Sequence, residues 1–256
     1  MLAGISVEYY TRFERGNAVG ASEDVLEGIA RALQLDEAER THLFDLVRAA
    51  NATSRPTRRT PTQERVRPTV QRILDSIAAP AYVRNGRLDL LAANTVGHAL
   101  YAPVFEDPSG TPNMARFLYL SPRASDFFPD WEDIANDAVA ILRAEAGRDP
   151  YDTLLTHLIG ELSTRSEEFR VRWAAHNVKF HRTGAKTLHH PVVGDLTLDY
   201  EAMELPGDTG QRVLIYSAEP GSPSQQALDL LASWATTPTE QRQEEVSRQV
   251  PSTKEN

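Results

Sequence analysis

The chain has 256 residues, 41% of them hydrophobic and 25% charged, with a formal net charge of -9 and no cysteine. That composition suits a globular protein with room for one or two domains, and the missing thiols exclude disulfides, cysteine catalysis and thiolate metal sites. No apolar run is long enough to span a bilayer and no basic segment leads into an apolar one, so the protein is read as cytoplasmic, without membrane span or signal peptide.

The first stretch with a distinct local code is Leu2 to Gly16. Gly4 permits a sharp turn, Ser6 is placed to cap a helix, and Gly16 is placed to end it. Tyr10 and Phe13 share one face of that helix, assigned to the core, while Val7, Glu8, Thr11 and Arg12 point elsewhere. The run A-G-I-S followed by a helix ending in E-R-G resembles the helix-turn-helix of Xre-type, phage-repressor-like regulators. The resemblance implies that this helix enters the major groove with Val7, Glu8 and Arg12 facing bases. In such a contact Arg12 would bond guanine O6 and N7, Glu8 would accept from cytosine N4, and Ser6 or Arg15 would hold a phosphate. A surface arginine is the competing reading of Arg12. A complete domain of this type has two helices ahead of the turn, where only Met1 to Ala3 stand here. Residues 1–50 are therefore expected to form an incomplete domain, loosely folded or borrowing surface from a second chain.

Ser22 is placed to cap a second helix with the apolar stripe Val25, Leu26, Ile29 and Leu33. Asp36 with Glu39 forms a capping-box pattern before a third, whose apolar face is Leu43, Phe44 and Val47. Residues 51–66 are polar, carry Pro56 and Pro61 and read as a linker. Around them cluster Arg55, Arg58, Arg59, Arg65, Arg67 and Arg72, which fit either a solvated segment or one that tracks a DNA backbone.

From Arg67 the periodicity predicts a helix through Val70, Ile73, Leu74 and Ile77, stopped by Pro80. Ala81 to Arg84 and Arg87 to Ala92 read as a hairpin across a type I′ Asn85-Gly86 turn. Helices are predicted over 94–100, 114–120, from Asp130-Trp131, after Asp149-Pro150, and over 166–173. Period two then marks strands at 178–182, 186–190, 196–205 and 212–218, followed by a helix over 223–234 and a disordered tail at 236–256. A hairpin, helices and an antiparallel meander make an α+β fold, with one sheet face covered by helices. The order is that of a PAS-like domain, here 67–235.

Within that region the runs A79-P-A-Y-V83, D89-L-L-A-A-N94, F128-P-D-W-E132, G160-E-L-S163, W173-A-A-H176 and H190-P-V-V-G-D-L-T-L-D-Y-E201 resemble the sensor domain of MmyB-like transcription regulators. The resemblance implies a bacterial, homodimeric regulator that binds double-stranded operator DNA and responds to a small apolar molecule. Phe127, Phe128, Trp131, Trp173 and Tyr200 are the aromatics expected near such a pocket, against ordinary core packing as the alternative. His176 is read as a hydrogen-bonding residue or a pocket-lining one.

No G-x-G, G-K-[ST] or G-x-S-x-G run occurs, so no dinucleotide, P-loop or hydrolase-elbow chemistry is expected. His189 and His190 face opposite sides of a regular strand and would not share a metal. Asp130, Glu132 and Asp133 suit a helix N-terminus. No catalytic residue, metal or cofactor is called, and the chain is read as a regulator rather than an enzyme.

Overall fold

The computed structural model describes residues 5–16, 21–51, 64–108, 111–175, 183–208 and 210–236. Over these the fold is α+β, with twelve helices and one five-stranded antiparallel sheet. The predicted strand at 178–182, His176, the arginines at 55, 58 and 59 and the tail from 237 lie outside the described residues.

Three helices come first: α1 (Val7–Glu14), α2 (Glu23–Ala32) and α3 (Glu37–Asn51). Their starts are set by local hydrogen bonds. Ser6 accepts from the Tyr9 amide at 3.1 Å and Ser22 from that of Val25 at 3.4 Å. Asp36 and Glu39 form a reciprocal box, in which the Glu39 amide donates to Asp36 Oδ1 at 2.9 Å and the Asp36 amide to Glu39 Oε2 at 2.8 Å. Leu26 and Val47 form the small core between these helices, with Phe13, Leu43 and Phe44 packed against them. Arg40 clamps α3 to α2 through Glu27. Leu33 departs from the expected stripe: it caps α2 and is 52% exposed.

The larger unit opens with α4 (Pro68–Ser76), followed by β1 (Ala81–Arg84) and β2 (Leu90–Ala93). Helices α5 (Thr95–Leu100), α6 (Ala102–Phe105), α7 (Met114–Leu120), α8 (Ala124–Phe127), α9 (Trp131–Arg148), α10 (Thr153–Arg165) and α11 (Glu167–Ala174) come next. Strands β3 (Thr183–His190), β4 (Gly194–Glu204) and β5 (Arg212–Ser217) and helix α12 (Pro223–Thr236) complete the fold. The sheet order is β2-β1-β5-β4-β3, so the early hairpin and the late meander join through the β1–β5 pairing. Tyr82, Leu188, Leu196, Leu198, Tyr200, Leu214 and Tyr216 form the inner face, under the helices. Ala81, Val83 and Val213 face outward beneath Val70 and Leu74 of α4.

Two local expectations are corrected. The hairpin does not turn on Asn85-Gly86 alone. The connection runs from 85 to 89, Leu88 is its positive-φ residue (66°), and a bulge follows Val83. Asn85 is engaged elsewhere, accepting from the Asp89 amide at 2.9 Å and donating to Glu64 and Asp89 carboxylates. The helix expected after Asp149-Pro150 starts at Thr153, because Asp152 takes the amides of Leu154 and Leu155 at 2.8 and 3.1 Å.

Asn94 joins three elements. Its Oδ1 accepts from the Ala81 and Gly97 amides at 3.1 and 2.7 Å, and its Nδ2 donates to Ile77 and Ala79 carbonyls at 2.9 and 2.8 Å. Donors and acceptors are thus fully used at a buried site. Gly97 lets α5 approach β1, since a Cβ there would meet the Ala81 carbonyl oxygen at 2.2 Å. Asn94→Ala leaves four backbone groups short of partners and is expected to cost about 2–4 kcal/mol. Thermal unfolding should fall by on the order of 10 °C, and a loss under about 2 °C would contradict the clip.

Candidate functional site

A cavity lies between the inner sheet face and helices α7 and α9. Tyr82, Arg84, Lys186, Tyr200, Ala202 and Leu214 line it from the sheet, with Leu88 beside them. Met114, Leu118, Ile134, Asp137, Ala138 and Ile141 line it from the helices. Its volume is about 40 Å³, well below the roughly 300–1,000 Å³ of pockets that enclose drug-sized ligands.

Two cations stand among these mostly apolar walls. Arg84 ends β1 and is 6% exposed. Its hydrogen bond goes to the neighbouring Asn85 carbonyl at 3.1 Å, and no carboxylate among the described residues pairs with it. Lys186 sits opposite Leu198 in β3, its ammonium 4.6 Å from the centre of the Tyr200 ring, again without a described carboxylate in ion-pair reach. Burial and the neighbouring Arg84 lower the Lys186 pKa to about 8, while Asp137 acts in the opposite direction. Burial also disfavours the charge of Arg84. The hydroxyls nearby are satisfied: Tyr101 donates to Tyr216 at 2.8 Å, and Tyr82 and Tyr216 lie 3.3 Å apart. Tyr200, packed at the same wall, is pushed up to about 12 by burial.

Of the aromatics singled out from the sequence, Tyr200 lines this cavity. Phe127 and Phe128 lie in the aromatic core with Phe117 and Tyr101. Trp131 donates to the Leu118 carbonyl at 2.8 Å and is covered by Arg172. Trp173 stacks on Phe169 under Arg143. His189 and His190 do diverge: His189 pairs with Asp195 at the surface, whereas His190 is buried and bonds the Ala99 carbonyl at 3.1 Å. Arg84 and Lys186 were not singled out from the sequence. Their signal is the period of two, which puts Arg84 in line with Tyr82 and Lys186 in line with Leu188 on the inner face.

At the other end of the molecule, Val7, Glu8, Arg12 and Arg15 are exposed on α1, and Thr11 is half-buried with its hydroxyl donating to the Val7 carbonyl. They share one side of the helix, while Tyr10 and Phe13 turn from it. Ser6 is used as the N-cap.

The family model of the MmyB-like transcription regulator ligand binding domain matches residues 66–231. The chain belongs to this family. No curated protein matches it. The MmyB-like region contains all five strands, the cavity and both cations, so the site lies within a domain class that binds ligands for transcription regulators.

Lys186 makes stability depend on pH in a defined direction. Its folded-state pKa lies below the ordinary lysine value of 10.5. The unfolded chain therefore binds more protons between about 8 and 10.5, and stability rises with pH across that window. Between pH 7.5 and about 9.5 the wild type should gain stability relative to Lys186→Met. Parallel denaturation curves at both pH values would contradict the half-buried placement of the ammonium.

Proposed function

We propose that this MmyB-like protein is a DNA-binding regulator whose sensor cavity takes a small molecule with an apolar body and one acidic group. The observation that carries the reading is the pair Arg84 and Lys186, two cations without a described carboxylate in ion-pair reach, in a largely apolar cavity whose one lining carboxylate is Asp137. Burying such charges is costly, and an incoming anion would supply the missing counter-charge. The apolar walls would hold the rest of the molecule. This refines the expectation of a purely apolar ligand. Residues 1–50 would read DNA and 67–235 would sense, within a homodimer that places two α1 helices on a palindromic operator. On this reading Val7, Glu8, Thr11 and Arg12 face the groove while Ser6 and Arg15 lie near phosphates. The protein acts as a switch without catalysis, in the cytoplasm and without a cofactor.

Octanoate and 1-octanol form a probe pair that differs at the head group. Calorimetric titration at pH 7 should show octanoate binding at least about tenfold more tightly. Arg84→Met or Lys186→Met should reduce that preference, and above pH 8 the Lys186 contribution should fade as the ammonium loses its proton. Equal binding of acid and alcohol would sink the anionic-ligand reading.

For DNA, fluorescence anisotropy of the full chain against fragments from upstream of its own and neighbouring genes, at two salt concentrations, should show binding that survives competitor. Arg12→Ala should lose about 1–3 kcal/mol of discrimination at one base position. A uniform loss across all sequences would make Arg12 a phosphate contact instead.

A further inference from the structure

A second cavity, of about 110 Å³, lies between α3 and the sensor domain. Thr41, His42 and Asp45 of α3 line one wall; Ile141, Ala144, Glu145 and Arg148 of α9 line the other, with Arg84, Gly86, Glu204 and Arg212 at the sheet end. Arg84 and Ile141 line this cleft and the sensor cavity as well. The two spaces therefore share a wall made of one strand-end cation and one side chain of α9.

The contact of α3 with α9 is a close one. At Gly147 a Cβ would lie 2.6 Å from His42 Cε1, 2.8 Å from His42 Nδ1 and 3.4 Å from Leu46 Cδ2, so the imidazole rests where α9 has no side chain. His42 Nδ1 is buried there without a hydrogen-bond partner. The contact thus depends on shape rather than on a polar bond, and a modest shift of α9 would disengage it. Helix α9 itself forms much of the sensor cavity through Ile134, Asp137, Ala138 and Ile141. A guest larger than the present cavity presses on this helix, and an acidic one also draws on Arg84.

We propose that α9 and Arg84 transmit the state of the sensor cavity to the N-terminal helices, by loosening or tightening the seat of His42 over Gly147. This rests on the reading that the cavity binds a ligand, and it adds the route by which occupancy reaches the reading helix. Filling the cavity weakens the α3 seat and frees α1 to α3 as a unit. By linkage, weakening the seat eases the filling of the cavity by the same factor.

Hydrogen exchange of the full chain tests the route with and without a probe. Ala138→Met fills the cavity from α9. Ile134→Phe, at a half-buried position on the same wall, serves where Ala138→Met does not fold. Either should raise exchange of α3 amides at least about fivefold while the sheet amides stay protected. Saturating octanoate should act in the same direction on the wild type. Gly147→Val should raise α3 exchange by itself, abolish the further response and tighten octanoate binding. Unchanged α3 exchange in a folded cavity-filled variant overturns the proposal whether or not octanoate binds. A response to cavity filling together with no binding of octanoate supports the route and counts against the acidic-ligand reading alone.

Discussion

Strand β1 has no face left for water, and the rest of the sensor domain depends on that. All four of its residues are buried. It pairs with β2 on one side and β5 on the other, so strands from both ends of the domain meet on it. Its outward residues Ala81 and Val83 require α4 as a cover, and its inward Tyr82 requires the helical layer. A strand buried on both faces normally reads as continuous apolar sequence. Here it ends in an arginine. The Asn94 clip and the absent side chain at Gly97 hold α5 against the same strand, which leaves little freedom for Arg84 to reach solvent.

Arg84, which is buried, and Lys186, which is half-buried, are unlike the other polar groups around them. The tyrosine hydroxyls bond to one another, and Asn94 and Asn113 are engaged by backbone and side-chain partners. Arg87 shows what a structural arginine looks like in this fold: it pairs with Glu64, Asp89 and Asp152, tying the β1–β2 connection to the start of α10. Apolar residues in place of isolated buried charges usually stabilise a protein. Cations held without a described carboxylate in ion-pair reach, in a cavity that Asp137 also lines, therefore mark a place where stability is given up, and perturbed groups of this kind concentrate at functional sites.

Much of this architecture was legible before the fold was known, wherever the determining interaction is local. The Ser6, Ser22 and Asp36–Glu39 caps lie within three residues of the amides they bind, and the alternation Leu196, Leu198, Tyr200 along β4 gave the inner face. What escaped depends on distant partners. The Asn85-Gly86 pair carries a turn signature, but Glu64 and Asp89 recruit the asparagine side chain and the left-handed residue becomes Leu88. Aromatic character alone did not separate Tyr200, at the cavity, from Phe127 and Phe128, whose ring neighbours include Tyr101, just after α5, and Phe117 of α7. Arg84 and Lys186 become a pair only when β1 and β3, distant in sequence, are brought under one helix.

The small size of the cavity would set how such a site works as a switch. A ligand changes an equilibrium only by the difference between its affinities for two states. The cavity holds about 40 Å³, so on the proposed reading many of a ligand's contacts would form only in a state where α9 has moved. That makes the affinity difference large by construction, while the absolute affinity is reduced by the work of opening. The counter-charge supplied to Arg84 and Lys186 offsets part of that work. An apolar molecule of equal size would meet the same steric resistance without the compensation, so on the proposed reading the cations would select on opening as well as on binding. Because α9 also carries Gly147 beneath His42, a motion of α9 that admitted a ligand would reach the surface on which α3 rests.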